Sequence, residues 1–209
     1  MYRDPGLCNR AFAATNAIVH MMHQVICGKL AKTEFIVGLL CAMARATGKD
    51  KDASVKAQIA EAMFTAETLR ALRYHAEGEA HEDDWGQFVP LRRPLDTSRN
   101  LFIGLYPRLI ELVQLLGSSS LVATPCEADL SNELVHDIGQ YFQTVNLDSE
   151  ERIALFRLAH DVAVSGFGSR QVLYERFFFG PQALLASTYF DLYNQDEMIG
   201  RVEALLERT

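Results

Sequence analysis

The sequence is poor in cysteine, and its cysteines are not arranged in pairs. Cys8, Cys27, Cys41 and Cys126 are widely and irregularly spaced, with no Cys-x-x-Cys segment among them. Small secreted domains that depend on disulfides carry more cysteines at closer spacing. We therefore expect reduced thiols that pack as small hydrophobic side chains.

The short motifs of several large enzyme classes are also missing. The chain has no Gly-x-Ser-x-Gly, no Gly-x-x-x-x-Gly-Lys and no Gly-x-Gly-x-x-Gly segment. Interpretations as a hydrolase, a nucleoside triphosphatase or a Rossmann enzyme therefore have no support. No residue is assigned a catalytic role from the sequence.

Positive charge and long apolar runs are scarce as well. The 209 residues carry a formal net charge of −7, which disfavours duplex nucleic acid as a main partner. No apolar run reaches the roughly 18–20 residues that span a bilayer. Residues 1–5 have no apolar signal core, so the expected location is cytoplasmic, without a membrane partner.

Apolar residues recur at steps of three and four along most of the chain. Hydrophobic residues make up 49% of the sequence, enough for one substantial core. The pattern predicts helices over about 11–46, 53–80, 99–116, 132–143, 149–165 and 197–207, with a further helix restarting near 169. No segment alternates with a period of two. Residues 1–209 are thus predicted to form one all-α domain, an antiparallel helix bundle.

Local signals predict where some of these helices begin or break. The segment 96–98 is expected to cap the third helix, and Pro107 to kink it or to end it after Leu105. The segment 148–151 is predicted to form a capping box at the next long helix.

One group of side chains on the first long helix resembles a metal site. His20, His23 and Cys27 have spacings that place them on neighbouring faces of the helix. No Glu-x-x-His pair on a second helix completes a di-iron centre. We predict a buried, hydrogen-bonded histidine pair rather than a metal site.

The segment Gly168-Ser169-Arg170-Gln171 combines a small turn with a guanidinium and an amide, and three phenylalanines follow at 177–179. Backbone amides and an arginine at a helix start favour an anion such as a phosphate. The aromatic block favours a planar ring system or a neighbouring subunit. The alternative, equally supported by residue types, is that Arg170 pairs with an acidic neighbour.

Several strings together resemble one protein family over nearly the whole chain. They occupy residues 94–100, 105–108, 115–119, 123–129 and 168–180. In their order and spacing they are similar to the C-terminal region of the large oxygenase subunit of 4-hydroxyphenylacetate 3-monooxygenases, which are two-component flavin monooxygenases.

The resemblance implies a helical domain like the C-terminal bundle of acyl-CoA dehydrogenases, commonly assembled as a homotetramer, without the family's upstream helical and β domains. It implies FAD as cofactor, reduced by a separate flavin reductase, and an aromatic substrate such as 4-hydroxyphenylacetate, hydroxylated with O2 ortho to its hydroxyl. By motif correspondence Gly168, Ser169, Arg170 and Gln171 would contact the flavin cofactor. The loop around Thr124 is a second candidate for lining the cofactor cleft.

Two alternatives accompany this interpretation. A chain without the β domain is also consistent with a non-catalytic assembly module. A related branch of the fold, 4-hydroxybutyryl-CoA dehydratase, holds an iron–sulfur cluster through cysteines and a histidine. The seven-residue spacing of His20 and Cys27 keeps that alternative open.

Overall fold

The computed structural model describes residues 3–206, and most of them are helical. Residues 1–2 and 207–209, which include part of the predicted polar N-terminus and the last residue of the predicted tail helix, lie outside this range. In chain order the helices are α1 (Pro5–Ala14), α2 (Ala17–Ala46), α3 (Ala53–Gly78), α4 (Arg92–Gly117), α5 (Val135–Tyr141), α6 (Ser149–Ala163), α7 (Gly166–Phe177), α8 (Gln182–Leu192) and α9 (Asp196–Leu206). Two short strands, β1 (His81–Glu82) and β2 (Phe88–Val89), pair antiparallel between α3 and α4.

The core lies where α2, α3 and α4 pack against one another. Each contributes apolar side chains that are fully or almost fully buried, such as Ile26, Leu40, Leu69, Phe102 and Leu112. Removing a side chain of this kind from water contributes about 1.5–3 kcal/mol. α6, α7 and α8 also pack on α4. The predicted all-α bundle is therefore confirmed.

The first predicted helix is divided into two. Asn16 has a left-handed backbone (φ 54°) between α1 and α2, so a continuous helix from residue 11 to 46 is not formed. Asparagine tolerates this conformation better than most residues. Its side-chain amide donates to Asp83 Oδ2 at 2.9 Å, which ties the break to the turn between β1 and β2.

α4 begins earlier than predicted and does not break at its proline. Its first residue is Arg92, so Asp96 lies inside the helix and is buried between the guanidinium groups of Arg92 and Arg99. The helix continues through Pro107 although proline removes one backbone hydrogen bond. Buried neighbours on both sides of the proline hold the turn in place, which a local signal does not reveal.

One segment, Arg92–Leu121, is long and apolar enough to cross a membrane by length and composition. The expectation that no run reaches this size is wrong on that measure. The core helix of a folded bundle meets the same measure. α4, which makes up most of the segment, packs against α2, α3, α6, α7 and α8.

The capping box predicted at α6 is confirmed. Asp148 Oδ1 accepts the Glu151 N–H at 2.9 Å, and Glu151 Oε2 accepts the Asp148 N–H at 3.3 Å. Both carboxylates also lie at the positive end of the helix dipole. α6 ends at Ala163, so this capping box fixes the start of the helix whose far end leads into the candidate site.

Candidate functional site

The connection between α6 and α7 is only two residues long, and its serine starts α7. Ser165 Oγ accepts hydrogen bonds from the backbone N–H groups of Phe167 and Gly168, at 3.1 and 3.3 Å. A serine at this position satisfies donors that the first helical turn leaves unpaired. α7 therefore begins at Gly166, so the predicted helix is present but starts three residues earlier than the expected position near Ser169.

Gly168 is buried where α7 passes close to the end of α6. A Cβ atom added there would lie 2.4 Å from the carbonyl oxygen of Val162, which leaves no room for a side chain. The Gly168 N–H donates to Ser165 Oγ, and the Ser169 N–H donates to the Ser165 carbonyl. The expectation of free amides at this turn is therefore wrong. The groups of residues 169–171 that can contact a ligand are their side chains.

Ser169 and Arg170 are exposed at the start of α7. The Arg170 guanidinium forms no ion pair or hydrogen bond with the part of the chain from residue 3 to 206. The sequence left two alternatives open for Arg170, binding of an anion and an ion pair with an acidic neighbour. The ion pair is not formed within residues 3–206. The charge and the planar donor fork of Arg170 remain available to an anion.

Gln171 is half-buried and is tied to α2 by a lysine. Lys32 Nζ donates to Gln171 Oε1 at 3.0 Å and to Glu175 Oε1 at 2.5 Å. The second oxygen of Glu175 accepts from Lys29 Nζ at 2.6 Å. The side chains of Glu175 and Lys29 are each only 4% exposed, so this carboxylate is enclosed between two ammonium groups.

Aromatic rings surround these charges. Lys29 Nζ lies 4.1 Å from the centre of the Phe102 ring, and Lys32 Nζ lies 5.2 Å from that of Tyr106. Burial lowers the pKa of Lys29, although the Glu175 carboxylate acts in the opposite direction. Burial, and secondly the charge of Glu175, raise the pKa of Tyr106 to about 12. The region is thus a dry, charged layer between α2, α4 and α7.

A cavity of about 240 Å³ opens beside this layer. Lys32, Tyr106 and Gln171 supply its polar groups. The rest of its lining is apolar and consists of Phe35, Ile36, Val162 and Phe167. An apolar space with a few polar groups at its edge is typical of a site for part of a small molecule or cofactor.

The Thr124 loop lines a different cavity, of about 290 Å³. Thr124 Oγ1 donates to the Ser120 carbonyl at 2.6 Å, which makes the loop compact. Arg152 enters the same cavity from α6, and its guanidinium also donates to the Phe142 carbonyl. No lining residue is shared with the cavity at Gln171. The structure therefore does not bring the two predicted regions into one cleft.

The histidine group is connected to α3 rather than paired within α2. His23 Nε2 lies 2.9 Å from Glu77 Oε1, and Cys27 Sγ belongs to the same cluster, whose ligand atoms lie within 4.8 Å of one another. The Arg73 guanidinium also approaches the Glu77 carboxylate, at 3.5 Å, and opposes a cation there. Within residues 3–206 the buried Nε2 atom of His20 has no hydrogen-bond partner, and His23 is 31% exposed, so the prediction of a buried, hydrogen-bonded histidine pair is wrong.

The residues that sequence reasoning missed are Lys29, Lys32 and Glu175. Two signals pointed to them. The lysines stand three apart within an otherwise apolar stretch of α2, and the glutamate follows Gln171 by four residues, which places both on one face of α7. Nothing in the sequence indicated that these groups meet, since about 140 residues separate them in the chain.

Comparison with known proteins agrees with the architecture. Residues 8–207 match the family described as "4-hydroxyphenylacetate 3-hydroxylase C terminal". The chain is 43% identical over 203 residues to the oxygenase component of 4-hydroxyphenylacetate 3-monooxygenase from Thermus thermophilus, covering 97% of this chain and 42% of that protein. It therefore spans less than half the length of this relative.

Solved structures show the same relationship. The crystal structure of a 4-hydroxyphenylacetate 3-monooxygenase oxygenase component complexed with FAD and 4-hydroxyphenylacetate aligns with a TM-score of 0.93 at 43% identity, covering 97% of this chain and 43% of that one. An archaeal 4-hydroxybutyryl-CoA dehydratase from N. maritimus aligns with a TM-score of 0.77 at 15% identity, over 91% of this chain and 37% of its own, and shows the fold alone. The fold thus defines a class of helical bundles that different enzymes share. Within that class, the chain belongs to the 4-hydroxyphenylacetate 3-hydroxylase C-terminal family.

Proposed function

We propose that this chain is the FAD-binding, oligomer-forming C-terminal domain of a reduced-FAD-dependent aromatic monooxygenase. The substrate would be a phenol such as 4-hydroxyphenylacetate, hydroxylated ortho to its hydroxyl with O2. A separate flavin reductase, in the cytoplasm, would supply the reduced cofactor. The supporting facts are the family membership and the relative that is complexed with FAD and this phenol.

The residues at the start of α7 fit such a cofactor. The observation that carries the proposal is the Arg170 guanidinium, which is exposed and has no partner within residues 3–206. Gln171, the next residue of α7, lines the 240 Å³ apolar cavity. A diphosphate binds favourably to a charged hydrogen-bond donor, and a ring system binds favourably in an apolar space. We assign Gly168 to the packing of this corner, and Ser169, Arg170 and Gln171 to contacts with the cofactor.

Reduced FAD, when bound, supplies the activation of oxygen. The chain's own residues would bind and orient the cofactor and would exclude water from it. Arg170 would hold the negative charge of the diphosphate from the solvent side. Phe35, Ile36, Val162 and Phe167 would keep the adjoining cavity dry, which limits loss of oxidising equivalents to water.

The test is an FAD titration of the purified chain by calorimetry. We expect Arg170→Ala to weaken FAD affinity about tenfold or more, since a charge-assisted contact of this kind contributes about 1.5–3 kcal/mol. Arg176→Ala is the matched control, because Arg176 is also exposed on α7 but lies in its last turn. An unchanged titration for Arg170→Ala would remove the assigned contact.

A non-catalytic assembly module is the second candidate. The observation that favours it is the exposed apolar surface on the last helices, which includes Phe177, Phe190 and Leu205. Mixing the chain with chemically reduced FAD and 4-hydroxyphenylacetate in air distinguishes the two candidate functions. Formation of the catechol supports a monooxygenase site in this chain, whereas release of hydrogen peroxide alone supports the module.

A further inference from the structure

The contact between Lys32 and Gln171 determines which end of the Gln171 amide is available. An ammonium group has three donors and no acceptor, so only the amide oxygen of Gln171 can face Lys32. The 3.0 Å distance from Lys32 Nζ to Gln171 Oε1 fixes that orientation. The Gln171 NH2 group is therefore directed away from Lys32. It donates no hydrogen bond to the described chain, residues 3–206.

Lys32 is itself held in place by a buried charge. Glu175 lies one helical turn after Gln171 on α7 and accepts from Lys32 with one oxygen and from Lys29 with the other. Its side chain is 4% exposed. Movement of Lys32 away from this position would leave a buried carboxylate oxygen without its partner, which is strongly unfavourable. The Lys32 ammonium is thus a rigid reference point rather than a mobile surface charge.

We propose that Lys32 is a positioning residue that keeps the NH2 group of Gln171 directed at an acceptor atom of FAD, such as a phosphate or ring carbonyl oxygen. This inference rests on the proposed function. Without Lys32 the amide can rotate and present its oxygen, which repels such an acceptor. Glu175 acts one step further away, by holding Lys32.

The experiment is a double-mutant cycle on FAD affinity. Lys32→Met and Gln171→Leu are each expected to weaken binding about fivefold to tenfold, which corresponds to the loss of one hydrogen bond. Because Lys32 acts through Gln171, the double variant should bind no more weakly than Gln171→Leu alone. Additive losses would overturn the positioning role.

Two further variants separate positioning from stability. Lys29→Met breaks the other contact of Glu175 but leaves the contact between Lys32 and Gln171. It should lower the free energy of unfolding without changing FAD affinity. Gln171→Glu keeps an oxygen for Lys32 but replaces the NH2 donors by a second oxygen that repels an acceptor, so it should bind FAD at least as weakly as Gln171→Leu. Wild-type affinity in Gln171→Glu, or an equal loss in Lys29→Met and Lys32→Met, would overturn the proposal.

A measurement without ligand distinguishes failure of the proposed FAD binding from failure of the positioning role of Lys32. In the side-chain amide NMR spectrum, the Gln171 NH2 resonances should shift on Lys32→Met and stay in place on Lys29→Met. If these shifts occur but the wild-type chain binds no FAD, the proposed function fails and the cofactor role of Lys32 fails with it. If FAD binds and the Gln171 NH2 resonances do not shift in the Lys32→Met variant, only the positioning inference is wrong.

Discussion

At the residue scale, Gly168 shows how much of the candidate site depends on close packing. The backbone of α7 approaches the Val162 carbonyl so closely that any side chain at position 168 would overlap it. Ser165 then caps the same turn. This contact fixes the position of the first turn of α7, and with it the direction in which the side chains of Arg170 and Gln171 project.

Replacement of Gly168 by alanine tests that dependence. The new Cβ would meet a backbone oxygen at 2.4 Å, which cannot move aside as a side chain would. We expect a loss of about 1–3 kcal/mol in the free energy of unfolding, measured with urea. Gly166→Ala is the control, because nothing lies within 4 Å of its Cβ position, and alanine favours the helix. Equal stability of the two variants would contradict the close contact.

Tyr106 gives a second prediction at this scale, in alkaline solution. Its pKa is raised to about 12 in the folded chain from an ordinary value of 10. The protonated phenol therefore stabilises the fold fully below pH 10, and this contribution is lost as the pH rises from 10 to 12. By pH 11 the loss amounts to about 1.4 kcal/mol.

The measurement compares urea unfolding of the wild type and Tyr106→Phe at pH 9 and pH 11. Phenylalanine cannot ionise, so the stability of the wild type should fall more steeply between these values. The Lys29 ammonium, whose lowered pKa acts in the opposite direction, is present in both proteins and cancels. Parallel pH profiles would show that the phenol is not held in its neutral form.

At the scale of elements, α6 leads directly into the candidate site, and its ends are set by local chemistry. Asp148 accepts the Glu151 N–H in the first turn of α6, and Glu151 accepts the N–H of the capping residue Asp148. Ser165 accepts the first N–H groups of α7. Two helices that begin and end at defined residues hold the two-residue corner between them rigid. Local signals of this kind are readable in the sequence.

Asp148→Ala is expected to lower the free energy of unfolding by about 1 kcal/mol, because it removes the cap of α6. Asp161→Ala removes the same charge from the other end of the helix, where a carboxylate opposes the helix dipole. It should leave stability unchanged or raise it slightly. Thermal and urea unfolding of both variants check the difference, and equal losses would contradict the capping role.

At the scale of the whole molecule, the last three helices carry a large exposed apolar surface. Its members on α7 to α9, together with Phe178 directly after α7, include Phe167, Leu173, Phe177, Leu184, Phe190, Met198, Val202 and Leu205. No residue of α9 is buried. A surface of this extent favours contact with another chain or domain. It supports the proposed oligomer.

The prediction for assembly concerns α9. We expect the wild-type chain to sediment as an oligomer, with a tetramer as the proposed state, and Val202→Asp/Leu205→Asp to shift it to the 23.4 kDa monomer. Glu203→Gln, which changes a charge on the same helix, should leave the assembly intact. A monomeric wild type in analytical ultracentrifugation would contradict the proposed oligomer.

Much of the fold was predictable because helical periodicity and caps are local. The core helices and the capping box at Asp148 follow from spacing and residue type alone. The break at Asn16 and the early start of α4 at Arg92 were not predicted. Each depends on partners that are distant in the sequence. Asn16 bonds to Asp83, and the apolar face of α4 packs on α2 and α3.

The sequence by itself determined an all-α bundle and the segment 168–171, because apolar spacing and residue chemistry are properties of short stretches. Only the tertiary structure decided what that segment presents. It engages the Gly168 amide, leaves Arg170 without a partner in the described chain, and sets Gln171 against Lys32. These outcomes arise from contacts between α2, α6 and α7, and burial of Glu175 between two lysines is a property of the packed helices rather than of any one of them.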